Sequence, residues 1–162
     1  MLPEAETPSH TEMYEGYYHV LDFSGEVELT TMRFYIRDFD RNGFENRKEQ
    51  MHRIADFLNF KYGEGPVSVK VTDTYYNMAE KILPNFEIVE AMKEGMEKAG
   101  FKPYVKPMRG GTDGSVLSQK GIPTPNMCDG SHNCHGRYEY VSIQSMEKIT
   151  EAIANIVTHF AV

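Results

Sequence analysis

One loop histidine in this sequence has the surroundings of a metal ligand. His135 follows Cys134 directly, lies three residues after His132, and precedes Glu139 by four residues. A neutral imidazole on a loop is a common zinc ligand, and a neighbouring carboxylate can orient its ring. An exposed loop histidine that binds nothing looks the same, so the residues alone leave both interpretations open.

Two arginines could receive a carboxylate. Arg37 lies near the end of an alternating segment, and Arg109 stands immediately before a run of glycines. The planar guanidinium offers paired N–H donors that match a carboxylate. For Arg37 the plainer alternative is a salt bridge with Asp38 or Asp40.

A glycine-rich loop follows Arg109 and leads into a predicted helical turn. The segment Gly110-Gly111-Thr112-Asp113-Gly114 would let a ligand approach the backbone, and N–H groups at a helix start favour an anion. A tight turn capped by Asp113 is the alternative. Asn77 follows a predicted strand where two lobes join, and is either a ligand contact or a turn residue. The candidate substrate-binding residues are Arg37, Asn77, Arg109, Gly110, Gly111 and Thr112.

The two cysteines offer a different metal site. Cys128, His132, Cys134 and His135 could form a structural zinc site, although Cys-x3-His-x-Cys-His is not a usual tetrahedral spacing. We expect Cys128 to be a small buried residue instead. Two cysteines are too few for a disulfide framework, so a reducing, cytoplasmic compartment is expected.

Composition excludes several partner classes. The net charge is −7 and no block of Lys or Arg occurs, which argues against nucleic-acid and anionic-membrane partners. No apolar run approaches the roughly 20 residues that a membrane-spanning helix needs. The first residues show neither the basic nor the apolar region of a signal peptide.

The first half predicts the order β-β-α-β over residues 17–76. Alternating segments at 17–27, 30–39 and 67–75 predict strands, and residues 43–62 predict an amphipathic helix. The expected buried stripe of this helix is Phe44, Met51, Ile54, Ala55 and Leu58. The order is one strand and one helix short of a split βαββαβ sandwich.

The second half predicts the edge of a larger three-layer α/β domain. Its expected elements are a helix at 85–99, a strand at 102–108, a helical turn at 112–120, an extended segment at 122–127 and a last helix capped by Ser142. The stripe expected to be buried on the last helix is Met146, Ile149, Ile153, Ile156, Val157 and Phe160. Residues 1–16 read as a loop or linker, and the fold class is α/β.

Several segments, taken in order, resemble the tripeptide aminopeptidases of the peptidase T family, within the zinc exopeptidases that carry an inserted lid domain. The resembling segments include Glu6-Thr7-Pro8, His10-Thr11-Glu12, Ile36-Arg37-Asp38-Phe39-Asp40-Arg41, Tyr75-Tyr76-Asn77-Met78, Arg109-Gly110-Gly111-Thr112-Asp113-Gly114 and Asn133-Cys134-His135-Gly136. Cys134 departs from the pattern, since an aromatic residue usually precedes the histidine.

The resemblance implies a role for each candidate. His135 would be the last ligand of a pair of zinc ions, and Arg37 would receive the carboxylate of the peptide. Arg109, Asn77 and the glycine loop would support the substrate pocket. Residues 1–78 would be the C-terminal part of a lid or dimerisation domain, and residues 79–162 that of the catalytic domain.

The remaining metal ligands and the general base of such enzymes precede the lid. This chain has no His-x-Asp segment, so we expect it to be inactive alone and to need an N-terminal half. The expected partners are tripeptides and that half, and a homodimer with a second copy of the chain is a further open alternative. A non-catalytic dimerisation or peptide-binding module, pairing through an exposed strand edge, is the competing hypothesis.

Overall fold

The computed structural model describes residues 1–63 and 65–161. The chain forms two compact units. The N-terminal unit comprises Met1–Asn77 together with Pro107–Gly111, and the C-terminal unit comprises Met78–Lys106 together with Thr112–Val162. The segment 107–111 therefore packs with the N-terminal unit, although it follows Asn77 by thirty residues. The sequence did not predict this return of the chain.

The N-terminal unit contains an antiparallel hairpin of two strands. Strand β1 spans Tyr17–Gly25 and strand β2 spans Thr30–Arg37, so both predicted strands are confirmed within a few residues. The register pairs Tyr17 with Arg37 and Gly25 with Thr30, with a bulge between Val20 and Asp22. The bulge places an extra residue in β1 and interrupts its alternation.

Helix α1 spans Arg41–Tyr62 and follows the hairpin. It begins after Asp40, whose carboxylate accepts a hydrogen bond from the Gly43 amide at 2.6 Å, and this supplies the N-terminal cap. It ends at Gly63, which has a φ of 103°. The predicted stripe is confirmed: Phe44, Met51, Ile54 and Leu58 are half-buried and Ala55 is buried.

The strand predicted over 67–75 is not formed. Within the described residues the sheet of this unit has only β1 and β2, and no strand pairs with the segment after α1. The side-chain amide of Asn59 instead accepts from the Val67 N–H and donates to the Val67 carbonyl, both at 2.9 Å. Alternating apolar residues give a segment strand propensity, but a strand also needs a hydrogen-bonded neighbour.

Residues 1–16 contain no helix or strand, as expected, but they are not a free linker. The Glu6 carbonyl accepts from the Tyr18 N–H at 2.9 Å, and the Glu6 carboxylate forms an ion pair with Arg47. Thr11 contacts Arg109 through its carbonyl and its hydroxyl. One backbone hydrogen bond from β1 and two arginine side chains, from α1 and from the segment 107–111, therefore hold this segment against the unit.

The C-terminal unit is mostly helical. Its elements are α2 (Ala79–Ile82), a 3-10 turn (Leu83–Asn85), α3 (Glu87–Lys98), α4 (Asp113–Gln119), β3 (Ser131–His132), β4 (Tyr140–Val141) and α5 (Ile143–His159). The predicted helices at 85–99 and 112–120 and the Ser142 cap of the last helix are confirmed. The strand predicted over 102–108 is absent from the described residues, for the same reason as the strand over 67–75.

Small residues bring α3 and α5 close together. Ala91 and Gly95 are buried on α3, and Ala152 is fully buried on α5. A Cβ atom on Gly95 would stand 2.5 Å from Ile156 Cγ1 and 3.0 Å from the Ile156 backbone nitrogen. The absent side chain thus sets the separation of the two helices.

The stripe predicted for the last helix is only partly buried. Ile149 is buried and Ile156 is half-buried, whereas Met146, Ile153, Val157 and Phe160 are exposed. Ala152 and Ile156 are the residues of α5 that lie against Gly95 of α3, since a Cβ atom on Gly95 would fall 3.2 Å from the Ala152 carbonyl oxygen and 2.5 Å from Ile156 Cγ1. No helix among the described residues is long and apolar enough to cross a membrane.

Candidate functional site

Arg37 is the last residue of β2 and lies opposite Tyr17 on β1. Its guanidinium carbon stands 4.7 Å from the centre of the Tyr35 ring and 5.1 Å from the centre of the Tyr75 ring. Its Nη1 donates to the Tyr75 hydroxyl. The Arg37 side chain is half-buried, and the two aromatic rings partly shield its positive charge from water.

The salt bridge considered for Arg37 is not formed. Asp38 pairs with Arg47 at 2.8 Å and also accepts from the Asp40 N–H at 2.9 Å. Asp40 caps α1. No ion pair involves Arg37 within residues 1–63 and 65–161. The guanidinium therefore keeps donors for an anion, because both nearby carboxylates are engaged elsewhere.

Tyr75 occupies space that Gly111 leaves open. A Cβ atom on Gly111 would lie 2.8 Å from the Tyr75 Cζ atom and closer still to the hydroxyl. Burial raises the pKa of Tyr75 above 10.0, with the Arg37 charge acting in the opposite direction, so the phenol is protonated at neutral pH. Gly111 therefore makes room for the ring and hydroxyl of Tyr75. The sequence predicted instead that the glycine would let a ligand approach the backbone.

Arg109 is held by its own unit. Its guanidinium donates to the carbonyl and hydroxyl oxygens of Thr11 and lies 4.8 Å from the centre of the Tyr17 ring. Its carbonyl accepts from the Tyr17 hydroxyl at 2.9 Å. These contacts tie the segment 107–111 to the hairpin, so Arg109 supports the surroundings of Arg37.

The other predicted substrate residues have separate surroundings. A Cβ atom on Gly110 would meet no atom within 4 Å. The Asn77 amide donates to the Phe39 carbonyl at 3.0 Å. Thr112, not Asp113, is the N-cap of α4, and its hydroxyl accepts from the Ser115 N–H at 3.3 Å. Thr112 belongs to the C-terminal unit, whereas Arg37, Asn77, Arg109, Gly110 and Gly111 belong to the N-terminal unit.

His135 lies in the C-terminal unit, in the loop between β3 and β4. The residue is exposed, and its φ of 65° is in the left-handed region that a non-glycine residue adopts rarely. Glu139 accepts from the His135 backbone N–H at 2.9 Å, so this carboxylate stabilises the conformation of the loop. The imidazole is left accessible on a turn with a defined conformation.

The described part of this chain does not by itself form a metal centre. Among the described residues no three His, Cys, Asp or Glu side chains lie close enough together to hold a metal ion. Cys128 is exposed, which contradicts the prediction that it is buried, and Cys134 contacts the Ser131 hydroxyl. The cysteines and histidines of the loop therefore do not assemble the structural zinc site considered above.

Two tyrosines that the sequence alone did not indicate shape the surroundings of Arg37. Tyr17 is buried and contacts Arg109, and Tyr75 contacts both Arg37 and Gly111. The signal available was the density of tyrosines beside the predicted arginine sites. Their contacts span 38 and 92 positions of sequence, which periodicity does not report.

Similarity to known proteins covers nearly the whole chain. The profile of Peptidase family M20/M25/M40 matches residues 9–159. Peptidase T of Clostridium perfringens strain SM101 is 53% identical over 161 residues, and peptidase T of Halothermothrix orenii is 50% identical over 161 residues. Peptidase T of Shouchella clausii is 54% identical over 155 residues.

These matches cover 96–99% of this chain but only 38–40% of each relative. The chain thus spans about two fifths of the length of the curated relatives. The matched residues 9–159 of the family profile include the positions of Arg37, Gly111 and His135. The chain belongs to peptidase family M20/M25/M40.

Proposed function

We propose that the chain is part of a metal-dependent aminopeptidase that releases the N-terminal residue from tripeptides. Its membership of a peptidase family and its identity with proteins named peptidase T support this proposal. The N-terminal unit would be the end of a lid domain with a split sandwich, and the C-terminal unit the end of the catalytic domain. A homodimer formed through the lid is part of the same proposal.

The observation that carries the substrate assignment is the unpaired charge of Arg37. A half-buried guanidinium with no carboxylate partner among the described residues favours an anionic ligand. A tripeptide carries its carboxylate at a fixed distance from the bond that an aminopeptidase cleaves. A site that holds this carboxylate therefore measures the length of the substrate.

His135 would contribute one ligand of a two-zinc centre. A bound zinc pair would supply an activated water and would polarise the scissile carbonyl. One exposed imidazole does not hold such a pair, so we expect the other ligands and the general base from the part of the relatives outside the match. The contribution of this chain is then substrate recognition and one ligand, and the chain alone is expected to be inactive.

A chimera tests the proposal. In the chimera this chain replaces the matching 40% of the Clostridium perfringens peptidase T. We expect zinc-dependent cleavage of tripeptides. Arg37→Ala should raise KM for a tripeptide about tenfold or more, because a charge-assisted hydrogen bond contributes roughly 1.5–3 kcal/mol. The same variant should leave KM for the tripeptide amide nearly unchanged.

The controls separate recognition from folding. Arg37→Lys keeps the positive charge but loses the paired N–H donors of the guanidinium, and should give an intermediate KM for the tripeptide. Equal losses on tripeptide and amide would contradict the role of Arg37. A chimera that binds tripeptides without metal and cleaves none would instead support the peptide-binding module.

A further inference from the structure

The hydroxyl of Tyr75 has hydrogen-bonding capacity that its contacts leave unused. Its oxygen accepts an N–H from Arg37. The structure describes no acceptor for its own O–H within residues 1–63 and 65–161. The residue is half-buried, so water reaches this O–H only in part, and an acceptor on a ligand would complete its hydrogen bonding.

Tyr75 and Arg37 present donors at one place. The Arg37 guanidinium lies over the Tyr75 ring. Besides the N–H that donates to the Tyr75 hydroxyl, the guanidinium has further N–H donors. No carboxylate within the described residues pairs with this fork. An unused O–H beside an unpaired guanidinium is suited to an anion with two acceptor oxygens.

We propose that the Tyr75 hydroxyl is the second donor to the peptide carboxylate, beside Arg37. This inference rests on the proposed function, since it adds a residue to the same carboxylate site. One carboxylate oxygen would accept from the guanidinium and the other from the phenol. Tyr75 thereby determines specificity, favouring a carboxylate over an amide, whose NH₂ group cannot accept from the phenol.

Gly111 determines where this hydroxyl lies. Because the ring of Tyr75 fills the place of a Cβ on Gly111, any larger residue there would push the phenol away from its position. Arg109 and Tyr17 fix the segment that carries Gly111. The glycine of the loop thus acts on the ligand through Tyr75 and not through its own N–H.

Two tyrosines on neighbouring positions give a matched pair of variants. Tyr75→Phe removes only the hydroxyl and keeps the ring over Arg37 and against Gly111. Tyr76→Phe removes a hydroxyl that donates to Asp73 at 2.9 Å, away from Arg37. Both variants conserve the aromatic packing, so a difference between them reports the hydroxyl.

The experiment uses the 162-residue chain with labelled tyrosine rings and arginine side chains, observed by NMR. Triglycine and triglycine amide are the two ligands. We expect triglycine, but not the amide, to shift the Arg37 Nε and Tyr75 Cζ signals. Tyr75→Phe should weaken triglycine binding roughly tenfold, the usual scale for a hydrogen bond to a charged group, and Tyr76→Phe should not.

Each other outcome has a definite meaning. If triglycine shifts Arg37 and Tyr75→Phe binds it as tightly as the original chain, the role of Tyr75 is wrong and that of Arg37 stands. If triglycine and its amide act alike on Arg37, the carboxylate site is wrong and the role of Tyr75 falls with it. Equal weakening by both Phe variants would also overturn the assignment.

Discussion

The two units of this chain are stabilised in different ways. In the N-terminal unit charged side chains are central: Arg47 pairs with Glu6 and Asp38, and arginines lie over tyrosine rings. In the C-terminal unit helices α3 and α5 meet through small apolar residues such as Ala91 and Ala152. In the unit whose other charges are engaged, Arg37 lies between aromatic rings and has no carboxylate partner among the described residues.

The strongest test of this contrast removes Arg47. Its side chain joins Glu6 to Asp38, whose side chain is only 9% exposed. Gly16 and Gly43 make room for the Asp38 carboxylate, since a Cβ on either would fall within 3 Å of its Cγ atom. Arg47→Met would leave this carboxylate unpaired, and should lower the free energy of unfolding of the N-terminal unit by about 3 kcal/mol.

Amide hydrogen exchange measures the two units separately. We expect Arg47→Met to lower protection in α1 and to leave protection in α3 and α5 unchanged. Arg53→Met is the control, because its pair with Glu49 is exposed and contributes less than about 1 kcal/mol. A similar loss in α5, or a similar cost for both variants, would contradict the contrast between the units.

The converse test crowds the helix pair. In Gly95→Ala the new methyl group meets the Ile156 backbone nitrogen at 3.0 Å and the Ala152 carbonyl at 3.2 Å. Overpacking costs about 1–3 kcal/mol, and the higher helix propensity of alanine offsets about 1 kcal/mol. We expect a net loss of up to about 2 kcal/mol, seen as lower amide protection in α3 and α5.

Glu97→Ala is the control for that helix, since Glu97 is exposed on α3. It should change stability by less than about 0.5 kcal/mol, as is usual for exposed sites. A stabilising effect of Gly95→Ala would show that the helices can separate at little cost. The close approach would then not be what holds the C-terminal unit together.

The smallest expected effect is a pH dependence in the N-terminal unit. A hydrogen bond from Lys48 lowers the pKa of Asp73 below 3.8, and one from Tyr76 acts in the same direction. Because the folded pKa is the lower one, this stabilisation is present above the unfolded pKa and is lost as the pH falls through the folded pKa. Lys48→Met should remove the larger part of this acid-dependent stabilisation and leave the contribution of Tyr76.

Urea unfolding at about pH 6 and about pH 3 measures this pH-dependent stabilisation, with amide protection in α1 as the readout. The pair is near the surface, so we expect less than about 1 kcal/mol. Asp56→Asn, an exposed change on α1, is the control. An unchanged pH dependence in Lys48→Met would assign the acid sensitivity to other carboxylates.

The sequence predicted the helices better than the strands. Helix α1 carries its own signals, a capping aspartate and an apolar stripe, and α5 begins at the predicted Ser142. The segments 67–75 and 102–108 alternate as strands do, but no strand pairs with them in the described residues. A helix makes its hydrogen bonds within itself, whereas a strand depends on a neighbour that local periodicity does not contain.

The candidate site divides in a similar way. Arg37 was predicted from residue type and resemblance, and its freedom from Asp38 and Asp40 follows only from the contacts of those aspartates. The role of Gly111 could not be predicted, because it depends on a tyrosine 36 positions away. A glycine-rich pattern indicates that another group packs close to the backbone, but it does not identify that group.

The return of Pro107–Gly111 to the N-terminal unit has a consequence for synthesis on the ribosome. Tyr17 reaches its partner Arg109 across 92 positions, so the N-terminal unit cannot be completed until the segment 107–111 has emerged. All of α3 is made before that point, and closing so long a loop slows folding. We therefore expect the nascent hairpin and α1 to remain open to chaperones while the next unit is already being made.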